Sequence, residues 1–350
     1  MSLGEFPRES AELISLVVFS SVTAPDTRQV LALNNVVTLT NVAKSYGKHL
    51  AVSDLTLAVP EASLYGFIGP NGSGKTSTIR MILRIIEQDR GEIEVLGNLS
   101  ALAANDQVGY LPEERGLYKK FSVQRMLMYY AALKGMSRRD ARNAVTHWLD
   151  RFELGGWASK KIESLSKGMT QKVQFIASII AHPKLLILDE PFSGLDPVNT
   201  EVIRSAILEL QKQGTTIIFS THDMAVAERM CDFVFMIYKG EKVLDGTLDE
   251  ITSKYGQDTI KLRWSGEARQ LESTPGVKRV IDMGGYQELQ FNGDPQQLLR
   301  ELVADQSVQL FEIAHPSLHD IFIRIAGPDA GTDPDPNHRT DETSMKEVGT

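Results

Sequence analysis

The chain of 350 residues has one cysteine, no long apolar run and no excess of basic residues. The single Cys231 excludes an internal disulfide framework and an all-cysteine metal site, as is usual in a reducing compartment. The longest apolar run near the N-terminus, residues 13–22, is shorter than the ~20 residues that cross a bilayer. It follows glutamates instead of a basic segment, so we expect neither a signal peptide nor a membrane-spanning segment.

The charge and length limit the class of protein further. A formal net charge of -8 argues against a nucleic-acid partner, because neutralising phosphates normally requires a basic surface. The length exceeds that of most single domains, and a hydrophobic content of 42% is ordinary for a chain that buries a core. Two domains are therefore expected.

The apolar pattern divides the chain into regions. Strand-like runs at 36–42, 55–59 and 64–68 come before a predicted helix over 75–86. From about 115 to 165 the periodicity becomes helical only, which predicts a helical subdomain inserted in an α/β body. The body resumes with buried strands at 185–188, 216–219 and 233–237 and a helix near 224–230.

The two ends of the chain differ from this body. Short alternating runs and two helical stripes predict a small α+β domain over 256–327. Residues 1–35 show no clear period, and residues 328–350 are rich in Asp, Pro, Thr and Gly with almost no large apolar side chains. Such segments bury too little surface to offset chain entropy, so we expect both to be poorly ordered.

The most informative motif is a complete phosphate-binding loop between a predicted strand and a predicted helix: Gly69-Pro70-Asn71-Gly72-Ser73-Gly74-Lys75-Thr76, followed by Ser77. Its glycines let successive backbone N–H groups curl around phosphate oxygens, and the start of the helix adds positive potential. Lys75 would bridge the β- and γ-phosphates, and the Thr76 hydroxyl would bind Mg²⁺. The loop predicts a nucleotide site, although kinases, GTPases and motors share it.

An acidic pair, Asp189-Glu190, ends the apolar strand at 185–188. A strand that ends beside the loop would bring both carboxylates to the place of the metal and the attacking water. Asp189 would hold Mg²⁺ directly or through water, and Glu190 would polarise the water for phosphoryl transfer. The pair therefore predicts hydrolysis of the bound nucleotide.

Four further segments occur in a distinctive order around these motifs: Tyr46-Gly47, Leu165-Ser166-Lys167-Gly168-Met169, Ser193-Gly194-Leu195-Asp196 and Ser220-Thr221-His222-Asp223. The complete set, over about residues 36–255, resembles the nucleotide-binding domain of ABC transporters. The resemblance implies a P-loop ATPase fold of the α/β class with an inserted helical subdomain. It also implies ATP and Mg²⁺ as cofactors.

The resemblance further implies roles for single residues. Ser166 and Gly168 would contact the γ-phosphate bound by a second copy in a head-to-tail homodimer, and Asp196 would couple the two sites. His222 would contact the γ-phosphate and help to hold the water, and adenine would stack on Tyr46. Each has a simpler alternative: Ser166 as a helix N-cap, His222 as a polar strand end, Tyr46 as a packed aromatic.

Two departures from the family pattern stand out. Lys167 and Met169 replace residues of the usual Leu-Ser-Gly-Gly-Gln, and Glu113 stands where most members carry glutamine. Glu113 keeps an oxygen for Mg²⁺ or water and adds negative charge beside Asp189 and Glu190. The stretch 109–118 and the Leu-Ser-Lys-Gly-Met segment resemble the sodium-extrusion (NatA-like) exporter ATPases, whose small C-terminal domain would correspond to residues 256–327.

The function that this resemblance implies is an ATPase that powers a separate export permease from the cytoplasmic face of the membrane. ATP would close the homodimer, and the cleft between the helical subdomain and the 109–118 loop would receive the permease. Two alternatives remain open. One is a soluble ABC ATPase that acts on a macromolecular assembly, and the other is a regulatory protein that binds ATP without turnover, which Glu190 and His222 disfavour.

Overall fold

A computed structural model describes residues 34–97, 105–114, 116–255, 259–265, 271–305, 307–314 and 316–327. The segments predicted to be poorly ordered, 1–35 and 328–350, lie outside these ranges except for residues 34 and 35. Among the described helices, none is long and apolar enough to cross a bilayer.

The first layer is an antiparallel sheet of three strands in the order β2-β1-β4. Its strands are β1 (Asn35–Tyr46), β2 (His49–Pro60) and β4 (Arg90–Val95). Alternate side chains of β1 and β2 are buried, including Val37, Leu39 and Leu57, and they pack with Phe67 of the central sheet. This alternation is typical of an antiparallel sheet with one face on the core.

The central layer is a six-stranded sheet in the order β5-β6-β7-β3-β8-β9. Its strands are β3 (Leu64–Ile68), β5 (Val108–Leu111), β6 (Leu185–Asp189), β7 (Thr216–Thr221), β8 (Phe233–Tyr238) and β9 (Glu241–Thr247). All neighbouring pairs are parallel except β8 with β9. Because every residue of β3, β6 and β7 is buried, these strands appear in the sequence as continuous apolar runs.

Helices cover the central sheet: α1 (Lys75–Ile82), α4 (Lys167–Ile179), α5 (Pro197–Lys212), α6 (Met224–Met230) and α7 (Leu248–Lys254). The predicted extension of α1 to residue 86 was wrong. The helix ends at Ile82 because the chain turns at Arg84, whose φ is 55°. The Arg84 guanidinium donates to the Ile93 carbonyl oxygen at 3.2 Å, which ties this turn to β4.

The inserted region contains α2 (Val123–Leu133) and α3 (Arg138–Arg151), followed by short 3₁₀ turns. Serine side chains cap both helices, Ser122 accepting from the Arg125 amide and Ser137 from the Asp140 amide. Such caps satisfy one of the unpaired N–H groups at a helix start. The buried stripes of both helices, including Met126 and Trp148, join the core that contains α4.

The C-terminal region has an antiparallel sheet in the order β11-β12-β10-β13 and two helices. These elements are β10 (Thr259–Trp264), β11 (Val277–Asp282), β12 (Gln287–Phe291), β13 (Val308–Ala314), α8 (Pro295–Asp305) and α9 (Leu318–Ala326). The sheet and α8 share a small core of their own that includes Leu262, Leu289 and Leu298.

The last helix, α9, packs on the α/β body instead. Its Leu318, Ile321 and Phe322 belong to the large core, and the Phe322 ring meets Tyr238 edge to face at 5.4 Å between centroids. The backbone N–H of Leu318 donates to the carboxylate of Glu228 on α6. The C-terminal region is thus tied to the helix that begins just after His222.

We predict that Phe322→Ala destabilises the chain by about 3–5 kcal/mol, because it leaves a cavity at a side chain that is only 2% exposed. Ile325→Ala on the same helix is the matched control, since Ile325 is 41% exposed, and its cost should stay below about 1 kcal/mol. Thermal or urea unfolding measures both. Equal effects of the two variants would contradict the packing of α9 described above.

Candidate functional site

The phosphate-binding loop joins β3 to α1 at the carboxyl edge of the central sheet. Gly69 and Gly74 have φ values of 154° and 114°, which side-chain-bearing residues rarely adopt. A Cβ on Gly69 would lie 2.2 Å from the Ile237 carbonyl oxygen of β8, and one on Gly74 would lie 2.6 Å from the Ala51 carbonyl oxygen. The loop therefore requires glycine at both positions, because neighbouring backbone leaves no room for a side chain.

Lys75 is buried at the start of α1. Its Nζ donates to the Gly69 carbonyl oxygen at 2.6 Å and to the Pro70 carbonyl oxygen at 3.1 Å. Burial lowers the pKa of its ammonium group, and the charges of Glu190, Asp189 and Glu113 act in the opposite direction. The loop carbonyls thus hold the ammonium group against the loop.

Ser73 gives an independent sign that the loop is shaped for a ligand. Its Oγ is buried and has no hydrogen-bond partner among the described residues. A buried hydroxyl without a partner is rare in native proteins, and a phosphate oxygen would satisfy it. The residues of the loop therefore fit a bound nucleoside triphosphate.

The acidic pair lies where β6 ends. Asp189 is buried, and its Oδ1 accepts a hydrogen bond from Ser220 Oγ on the neighbouring strand β7 at 2.5 Å. The backbone N–H of Glu190 is 3.2 Å from both the Oγ and the carbonyl oxygen of Ser220. Glu190 has a φ of 49°, so the chain leaves the strand sharply at this residue.

The Glu190 carboxylate has a further partner, His222, at the end of β7. His222 Nδ1 lies 2.9 Å from Glu190 Oε1. The Glu190 side chain is 11% exposed, whereas that of His222 is 58% exposed. The Glu190 side chain is therefore largely shielded from solvent, whereas the imidazole that contacts it is exposed.

One cleft of about 680 Å³ gathers most of the predicted residues. This volume is within the usual range for small-molecule sites. Its lining comprises residues of the loop, the β1–β2 hairpin and the carboxyl edge of the sheet: Tyr46, His49, Ala51, Asn71, Gly72, Ser73, Gly74, Lys75, Thr76, Ser77, Glu113, Glu190, Ser193 and His222.

Three of these lining residues, His49, Ala51 and Ser193, were not predicted. The closeness of His49 and Ala51 in sequence to Tyr46 was the only available signal for them, and Ser193 opens a motif of which only Asp196 was assigned.

Tyr46 is 48% exposed, so it is not simply packed in the core. The Nζ of Lys44 lies 5.8 Å from the centre of its ring.

The three residues predicted to hold Mg²⁺ all carry oxygen donors. The Thr76 hydroxyl and the Glu113 carboxylate line the cleft, and the Asp189 carboxylate is buried at the end of β6. Hydroxyl and carboxylate oxygens are the ligands that Mg²⁺ prefers, usually with water and substrate phosphates completing the set. The residues thus fit the predicted metal.

Ser166, Gly168 and Asp196 are absent from the cleft lining. Ser166 caps α4 by accepting from the Met169 amide, and Asp196 caps α5 by accepting from the Asn199 amide at 2.9 Å. Hydrogen bonds from the Asn199 backbone and side chain lower the pKa of Asp196. A Cβ on Gly168 would lie 2.8 Å from Asn199 Nδ2, so the starts of α4 and α5 are in contact. We call this second set of residues the signature surface.

Lys167 also belongs to the signature surface. Its Nζ lies against Gly194, only 2.1 Å from where a Cβ on that glycine would be. Gly194 has a φ of 67°, so glycine suits this position for its backbone as well as for space. Lys167, one of the two departures from the usual signature, thus places an ammonium group beside Gly194, in the loop that leads to Asp196.

These features define a P-loop nucleotide-binding domain. Comparisons with known proteins show to which family of such domains the chain belongs. The family model described as ABC transporter matches residues 52–193, and the model described as ATP-binding protein DrrA1-3-like, C-terminal domain, matches residues 246–326. The chain is 40% identical over 292 residues to the uncharacterized ABC transporter ATP-binding protein YhaQ of Bacillus subtilis, which covers 83% of this chain and 98% of the relative. The chain therefore belongs to the family of ABC transporter ATP-binding proteins.

Other comparisons agree with this family. The Nod factor export ATP-binding protein I of Sinorhizobium fredii is 32% identical over 83% of this chain and 85% of its own length. A solved structure titled as the ATP binding subunit of an ABC transporter superposes with a TM-score of 0.59 at 30% identity, over 63% of this chain and 93% of that one. The predicted family and fold class are confirmed, whereas the roles of single residues stay predictions.

We predict that Gly69→Ala weakens ATP binding at least ~10-fold, because the new methyl group would displace the loop from the Ile237 carbonyl oxygen and carry the N–H donors with it. Titration with a fluorescent ATP analogue measures the dissociation constant. Gly156→Ala is the control, since a Cβ there meets no atom within 4 Å. Unchanged affinity in Gly69→Ala would refute the close fit of the loop.

Proposed function

We propose that this chain is the ATP-hydrolysing subunit of an ABC exporter, working as a homodimer on the cytoplasmic face of the membrane and driving a separate permease. The observation that carries the proposal is the Glu190–His222 pair in the same cleft as the phosphate-binding loop. A site built only to bind ATP would not need a carboxylate held by a histidine at this place.

In the proposed reaction, Lys75 and the loop N–H groups bind the β- and γ-phosphates. Thr76, Asp189 and Glu113 would hold Mg²⁺. Bound Mg²⁺ would neutralise phosphate charge. Glu190 accepts a proton from the attacking water, and His222 fixes the carboxylate and contacts the γ-phosphate. General base catalysis of this kind typically contributes about 10²–10⁴-fold in rate.

The homodimer is supported by the separation of the two halves of the site. The cleft holds the loop and Glu190, whereas Ser166, Gly168 and Asp196 form the signature surface outside it. In a head-to-tail dimer, the signature surface of each copy would close the cleft of the other. Val198, in the first turn of α5 and 74% exposed, is an apolar side chain that such an interface would cover.

A surface for the permease is supported by aromatic side chains at the start of the inserted region. Tyr118, Phe121, Tyr129 and Tyr130 form a chain of ring contacts with centroid distances of 5.4–6.4 Å, which we call the aromatic patch. Tyr118 is 56% exposed, and Leu133 on the same helix as Tyr129 is 58% exposed. Exposed apolar groups that lie together commonly mark interaction sites. A relative named for Nod factor export supports the direction of transport.

We expect Glu190→Gln to lower the rate of ATP hydrolysis at least ~100-fold while leaving ATP binding intact, since the amide cannot accept the proton of water. The unhydrolysed ATP should trap a dimer that size-exclusion chromatography with light scattering detects. Glu61→Gln, at an exposed turn before β3, is the matched control. Unchanged turnover, or a monomer in saturating ATP, would show that the catalytic assignment is wrong.

A second experiment tests the permease. The tagged chain should recover a protein with several membrane spans from detergent-solubilised membranes of its source. The double substitution Tyr118→Asp and Tyr129→Asp should reduce that recovery at least about fivefold. Each new carboxylate would lose its hydration on burial against the permease without gaining a partner. Ile85→Asp, at a residue 56% exposed outside the inserted region, is the control. Recovery of ribosomal or DNA-repair proteins instead would favour an ATPase of macromolecular assemblies.

A further inference from the structure

Gln174, in the middle of α4, makes an unusual pair of contacts. Its Nε2 donates to the Pro112 carbonyl oxygen at 3.4 Å and to the Glu114 carbonyl oxygen at 3.2 Å. These two carbonyls stand on either side of Glu113, whose side chain lines the nucleotide cleft. One side-chain amide thus holds the backbone on both sides of a residue of the cleft.

Packing alone does not explain a glutamine at this position. Gln174 is 5% exposed, and its Oε1 is buried without a partner among the described residues. A buried acceptor without a partner costs free energy, so the Oε1 atom subtracts from the stability that the two hydrogen bonds of Nε2 supply. Polar groups kept at a cost to stability occur most often at functional sites.

The packing between α4 and β5 reinforces this connection. A Cβ on Gly109 of β5 would lie 2.2 Å from the Ser178 carbonyl oxygen of α4, so the strand and the helix are in direct backbone contact. β5 ends at Leu111 and leads into the loop with Glu113. The Glu113 loop is therefore tied to α4 both through its strand and through the Gln174 amide.

The start of the same helix belongs to the signature surface. Ser166 and Gln174 are eight residues apart, which corresponds to about 12 Å along a helix. A displacement of α4 when its first turn meets a partner's nucleotide would be transmitted to the Glu113 loop of its own chain. The helix is short and well packed, so its ends move together.

We infer that Gln174 is a positioning residue that sets the place of Glu113 in the cleft and couples it to the signature surface. The inference rests on the proposed function, because Glu113 acts on bound ATP only if the chain is the proposed ATPase. In the assembled dimer, Gln174 makes the Glu113 loop of one site sensitive to contacts made at the other.

The kinetic test compares Gln174→Leu, Glu113→Ala and the double variant. Gln174→Leu should lower kcat for ATP about 10-fold with KM changed less than about threefold, since the loop is released but the phosphate-binding loop is untouched. The double variant should be no slower than Glu113→Ala, because residues that act through one another are not additive. Ser178→Ala, which removes a hydrogen bond to the Phe175 carbonyl within α4, is the control and should keep wild-type kcat.

A second readout needs no turnover. Hydrogen–deuterium exchange of the backbone over residues 109–114 should be at least ~10-fold faster in Gln174→Leu than in the wild type and Ser178→Ala, with Tm within a few degrees of wild type. Additive kinetic effects, or unchanged exchange, would overturn the inference. If the wild-type chain hydrolyses no ATP, the proposed function fails, whereas the exchange measurement still decides whether Gln174 holds the loop.

Discussion

The site depends above all on one buried hydroxyl, that of Ser220. It donates to Asp189, and Ser220 also accepts from the backbone N–H of Glu190, so both acidic residues are fixed by a single position of β7. The parallel pairing of β6 with β7 places Asp189 opposite Ser220, and the pairing of β7 with β3 places the phosphate-binding loop next to them. Since His222 follows two residues after Ser220, the same strand end also supplies the partner of Glu190.

Three carboxylates, those of Glu113, Asp189 and Glu190, act on the buried ammonium group of Lys75. Their charges offset only part of the cost of burying Lys75, because burial still lowers its pKa on balance. Bound Mg²⁺ and phosphates would change that balance. Glutamate at position 113, where most family members carry glutamine, thus adds a negative charge to the cleft. The contact between Gln174 and the loop around Glu113 links this charge to α4.

The C-terminal region packs directly on the α/β body that carries the site. Its last helix, α9, contributes Phe322 to the core of that body. The backbone N–H of Leu318, the first residue of α9, donates to Glu228 on α6, the helix that follows His222. Periodicity predicted a helix here with an apolar stripe, of which Leu318, Ile321 and Phe322 are buried and Ile325 is 41% exposed. It could not show which core receives the stripe, because Leu318 and Glu228 are far apart in sequence and meet only through folding.

The sequence by itself determined the elements whose cause is local. Continuous apolar runs marked the buried parallel strands, glycines with their lysine marked the phosphate-binding loop, and Asp189 and Glu190 ended a recognisable strand. Local signals failed at the end of α1, where contacts of Arg84 with β4 stop the helix, and at strands such as β11, whose side chains are only partly buried. Only the tertiary structure decided that Glu190 meets His222, that Ser166 lies outside the cleft, and that Gln174 reaches the loop of Glu113. These contacts join residues distant in sequence, and the order and packing of the strands set their distances.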